Sequence, residues 1–99
     1  MFNTAPHLPY YLVEWYHPEL TAQPLDDTIA KLDAGTVAMR AEGSAVRLLM
    51  ALTAHADQVL YSVFAASSPD TVRQACERAG YPAERLTAGI DARVIPDES

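Results

Sequence analysis

The stretch from Val59 to Leu86, VLYSVFAASSPDTVRQACERAGYPAERL, limits the possible folds more than any other. An apolar run rich in β-branched and aromatic residues stops at Ser67-Ser68-Pro69, and a helical pattern follows as far as Gly80. Ser68 is the expected N-cap, Pro69 the first helical residue, and Asp70 sits beside the positive end of the helix dipole. Val72, Ala75, Cys76 and Ala79 form a narrow inner face whose small side chains permit close approach to a sheet. A strand running straight into a helix, in a chain of 99 residues, predicts one domain in which helices lie on one face of a sheet.

The remaining segments fit that plan. Residues 1–9 hold two prolines and no periodicity, and read as a flexible arm. Residues 10–17, YYLVEWYH, have a strand's composition. Alternation places Tyr11, Val13 and Trp15 on one side, and Leu12, Glu14 and Tyr16 on the other. Pro18 closes the strand. A helix is expected from near Pro24 to Gly43, with Asp26 and Asp27 in its first turn and Leu25, Ile29, Leu32, Thr36 and Met39 along one stripe. Gly35 falls inside it, at a cost of about 1 kcal/mol relative to alanine, and is expected to loosen it. Residues 45–53, AVRLLMALT, are apolar on both sides and predict a strand in the interior of the sheet. AHADQ turns the chain into a third strand at 58–66. A last strand is expected at about 88–95, carrying Ile90, Val94 and Ile95, with residues 96–99 as a fraying acidic tail.

The order β-α-β-β-α-β is the ferredoxin-like α+β arrangement, a four-stranded antiparallel sheet with two helices on one face. The other face is left bare, and the first strand turns Leu12, Glu14 and Tyr16 onto it. An apolar patch of that kind on a small protein marks an interface, so a two-fold homodimer, sheet against sheet, is expected.

A net charge of -6 argues against nucleic acid or an anionic membrane surface as the main partner. The single cysteine, Cys76, has no partner for an internal disulfide. No apolar run reaches the ~18 residues of a membrane span, and MFNTAPHLP has neither the basic start nor the apolar core of a secretion signal, so a cytoplasmic location is expected.

Two segments, YLVEWYHPEL (11–20) and LYSVFAASSPDTVRQACERAGYPAERL (60–86), resemble a family of small actinobacterial ferredoxin-like proteins of unknown function typified by a nickel-binding protein. The run AGYPAERL (79–86) is the most specific part. The resemblance implies a bacterial protein with the same fold, and it implies nickel. The family's polar set, however, is reduced to Glu14: Trp15, Met50, Ser62 and Ala75 stand where its members typically carry histidine or cysteine. The expected site is a degenerate one.

The titratable candidates are few. His7 lies on the arm and His17 and His55 in turns, with no spacing that preforms a metal site; His17 and His55 are the pair a dimer would have to bring together. Cys76, on an inner helix face well past the N-terminus, reads as a small core hydrophobe. Glu14 is the one charge in an apolar strand, and reads either as solvent-facing, as paired across a dimer with Arg47 or Arg93, or as a general base. Tyr10, Tyr11, Trp15, Tyr16, Tyr61 and Phe64 either form plain core or line a ligand pocket between sheet and helices, with Glu14, Trp15, Tyr16 and Tyr61 as the binding set. No phosphate loop, nucleophile elbow or CxxC is present.

The expected function is therefore that of a homodimeric, non-catalytic binding or interaction protein that takes a small apolar ligand or a protein partner, without a cofactor. Two alternatives stand beside it. One is a cofactor-free enzyme of the dimeric α+β-barrel type, acting on a small hydrophobic substrate with Glu14 as proton-transfer group. The other is binding of nickel or another transition metal.

Overall fold

The computed structural model describes residues 8–93 and 95. Strand β1 (Tyr10–Trp15) leads into a single-turn helix α1 (Pro18–Ala22) and the long helix α2 (Leu25–Ala41). The hairpin β2 (Val46–Ala54) and β3 (Val59–Ala66) follows, then helix α3 (Pro69–Arg78) and strand β4 (Arg85–Ile90). The strands form one antiparallel sheet in the order β2-β3-β1-β4. This is the ferredoxin-like α+β fold.

The core fills the space between sheet and helices. Tyr11, Val13 and Trp15 of β1 and Leu60, Phe64 and Ala66 of β3 are buried against Leu32 and Met39 of α2 and Val72, Ala75 and Cys76 of α3. These are the residues that strict alternation turns to one side. The tryptophan is almost wholly enclosed, and its indole Nε1–H donates to the carbonyls of Tyr81 and Pro82 at 3.1 and 2.9 Å. It thereby ties β1 to the link that carries α3 into β4.

Both long helices end on the same device. Gly43 and Gly80 have φ of +97° and +87°, a conformation open to glycine at no steric cost. The next N–H then turns back onto the helix, Ser44 to Met39 O and Tyr81 to Cys76 O, each at 2.9 Å. The start of α3 is capped as its sequence predicts, with the Ser68 hydroxyl accepting from Thr71 N–H at 3.2 Å.

Four expectations change. Gly35 does not loosen α2; it is buried where α2 meets α3, and a Cβ there would lie 2.7 Å from the Ala75 carbonyl oxygen. Its lack of a side chain is what lets the helices touch. β2 lies at an edge, not in the interior. It is apolar on both sides because a bulge at Leu49 changes its register: Val46 and Leu48 face the helices, while Met50 and Leu52 face away. The first strand ends at Trp15, and Pro18, read as a terminator, is the first residue of α1. The last strand begins at Arg85 and ends at Ile90; Ile95 is exposed and outside it. The irregular pairing of β4 with β1 and the φ of +71° at Gly89 break the alternation that would have revealed it. Val94, most of the N-terminal arm (1–7) and the acidic tail (96–99) lie outside the described residues.

Candidate functional site

The uncovered side of the sheet is built in cross-strand rows. Pairing aligns Arg85, Glu14, Tyr61 and Leu52 in one row, and Thr87, Leu12, Val63 and Met50 in the next. A third row sets Ile90, Tyr10, Ala65 and Arg47 side by side. Directly opposed residues of antiparallel strands share a face with Cβ atoms about 5 Å apart, so each row is a continuous surface. The middle of the face is apolar. Met50 and Leu52, neighbours on this face, are 46% and 43% exposed. With Leu12, Tyr61 and Val63 they line a shallow groove of about 220 Å³.

One end of the face is polar. The Glu14 side chain is only 13% exposed, and its Oε1 accepts from the Tyr16 hydroxyl at 2.6 Å. The Arg85 Nε stands 3.8 Å from the other oxygen, too far for a hydrogen bond, on a largely exposed side chain. Within the chain, the cation beside Glu14 is thus Arg85. A last strand at about 88–95 begins after Arg85, so alternation alone does not place it on this face; its position in the AGYPAERL run is the signal the sequence offers. The carboxylate pushes the Tyr16 hydroxyl above the usual phenol range, chiefly through their hydrogen bond, so Tyr16 remains a donor at neutral pH. Tyr61 lies directly across from Glu14 on β3.

The expected binding set divides by strand parity. Glu14, Tyr16 and Tyr61 belong to the bare side, whereas Trp15 is core on the helix side with its N–H satisfied. Tyr11 and Phe64 are core as well, whereas Trp15 also borders a depression of about 430 Å³ with His17, Leu20, Tyr81 and Glu84. The positions that the resemblance marks for metal divide in the same way. Trp15, Ser62 and Ala75 are buried on the helix side, and Met50 looks outward with Glu14. Within the chain, the groups around Glu14 are a phenol and a guanidinium.

His17 sits between β1 and α1, its Nε2 paired with Glu84 Oε2 at 2.8 Å; the other Glu84 oxygen accepts from Tyr16 N–H at 3.1 Å. His55 lies in the exposed turn between β2 and β3, and His7 is outside the described residues. Among the described residues no group of three or more His, Cys, Asp or Glu side chains could hold a metal ion. Burial pushes the Cys76 thiol up to about 12, so it is a core group without thiolate chemistry at neutral pH. No described helix is long and apolar enough to cross a membrane.

No family model matches the chain, and no curated protein matches it. Among solved structures, it is similar to the crystal structure of SCO4226 from Streptomyces coelicolor A3(2), with a TM-score of 0.63 at 17% identity over 84% of this chain and 99% of that one. At that identity the likeness establishes the fold: a ferredoxin-like α+β domain.

Proposed function

We propose that this chain is a homodimeric binding protein, without catalytic activity of its own, whose bare sheet face pairs with a second copy and holds a small apolar ligand between the two. The observation that carries the reading is the exposure of Met50 and Leu52 above Leu12, Tyr61 and Val63, on a sheet whose other side packs under the helices. Contiguous apolar surface of this kind is removed from water when a partner covers it, at about 25 cal/mol per Å².

The size of the face favours a second copy. Four strands about 4.8 Å apart, six or more residues long at about 3.3 Å each, give a flat footprint of roughly 400 Å². Side-chain relief raises the accessible area above that figure, towards the ~600 Å² per partner of the smaller specific interfaces. A two-fold pairing also sets apolar rows of one sheet on apolar rows of the other.

Sedimentation equilibrium over the micromolar range tests the pairing. The expected result is twice the mass of one chain, falling to a single folded chain in Leu52→Asp. A well-folded single chain at high micromolar concentration overturns it.

A further inference from the structure

We infer that the ligand of the bare face is a small apolar molecule carrying a protonated amine, its hydrocarbon body in the Leu12–Met50–Leu52–Val63 groove and its ammonium on the Glu14 carboxylate. The inference deepens the proposed function and rests on its reading of the bare face as the binding face.

Three observations carry it. The first is the withdrawal of Glu14 from water at 13% exposure, on a surface whose neighbouring row is apolar apart from Thr87. A carboxylate so placed is stabilised by donors or cations within hydrogen-bond reach. Among the described residues Oε1 accepts from the Tyr16 hydroxyl, while Oε2 has a long ion pair with Arg85 at 3.8 Å and no hydrogen bond.

The second is the continuity of charge and groove. Glu14 and Tyr61 are paired in one row, and Tyr61 and Leu52 in the same row line the groove. A molecule lying along that row has its head on the carboxylate and its tail among Met50, Leu52 and Val63. A volume of about 220 Å³ holds roughly seven water-sized volumes of ~30 Å³, enough for a six-carbon chain.

The third is the contrast between the two charges at this end. The Arg85 side chain is 66% exposed, whereas that of Glu14 keeps only 13% of its surface in water. The group whose desolvation a ligand can compensate is the carboxylate, which selects a cation over an anion.

Calorimetric titration with n-hexylamine, n-hexanol and n-hexanoate at neutral pH, each sample also sedimented, is the test. Hexylamine is expected to bind at least tenfold tighter than the other two, to lose that margin in Glu14→Gln, and to gain several-fold in Arg85→Gln, which removes the competing guanidinium. The second variant separates recognition from a structural role, because loss of folding cannot tighten binding. Equal affinity for all three probes, preference for hexanoate, or no binding overturns the inference. A dimer that binds no amine overturns this inference alone. A single chain that binds hexylamine through Glu14 overturns the pairing and upholds the ligand.

Discussion

The two sides of one sheet make the instructive comparison. β1 supplies both: its odd-numbered residues, Tyr11, Val13 and Trp15, go under the helices, and its even-numbered ones, Leu12 and Glu14, face away. On the helix side the large side chains of β1 and β3 pack within the chain and the indole N–H is satisfied twice, while the buried Thr28 and Ser62 hydroxyls have no partner among the described residues. On the bare side Met50 and Leu52 remain exposed and Glu14 is held by one firm hydrogen bond. The difference teaches that the folding core of the single chain lies on the covered side, whereas the apolar side chains of the bare side are left exposed by it.

Substitutions on each side can break that comparison. Trp15→Ala removes the largest enclosed side chain and leaves the Tyr81 and Pro82 carbonyls without their donor, so chemical denaturation should show a loss of about 3–5 kcal/mol. Leu52→Asp on the bare side should leave the denaturation midpoint of the single chain almost unchanged. It should weaken self-association by about 100-fold or more, because two-fold symmetry counts each buried leucine twice, at about 1.5–3 kcal/mol each. If Leu52→Asp unfolds the chain instead, the two sides are not independent.

Smaller effects sharpen the account of the covered side. Gly35→Ala should cost about 1–3 kcal/mol, since the added methyl meets the Ala75 carbonyl, even though alanine is the better helix former. The smallest effect is a surface one. The Arg78 guanidinium beside Glu42 joins the ends of α3 and α2 and holds the Glu42 carboxyl below its ordinary value of 4.5. A carboxyl lowered in the folded state adds stability that is present above pH 4.5 and lost as the pH falls through the folded value. Glu42→Gln should therefore lower stability slightly at neutral and alkaline pH and leave the acid end unchanged, which flattens the acid limb of the curve; both groups are exposed, which keeps the effect small.

Where local rules decide, the sequence was legible. Ser68-Pro69-Asp70 and Gly80 mark α3 to the residue, because cap chemistry depends only on neighbours. Alternation sorted the two faces of β1 correctly for the same reason. What failed depended on distant parts of the chain. The edge position of β2 is a property of sheet order, and its double-sided apolarity comes from the bulge at Leu49 together with the bare face. β4 hid behind Gly89 and its irregular pairing. The partner of Glu14 could not be found without β4, since Arg85 reaches it only through the β1–β4 register. Gly35 looked like a weak point in one helix until the second helix was laid across it.

The central claim concerns what covers the bare face, and a mixed sample of labelled and unlabelled chains reads it directly. Isotope-filtered nuclear Overhauser spectra should show contacts between chains at the methyl groups of Leu12, Met50, Leu52 and Val63, and none at Leu32 or Val72. Contacts between chains on the helix side alone, or none anywhere at millimolar concentration, would contradict it.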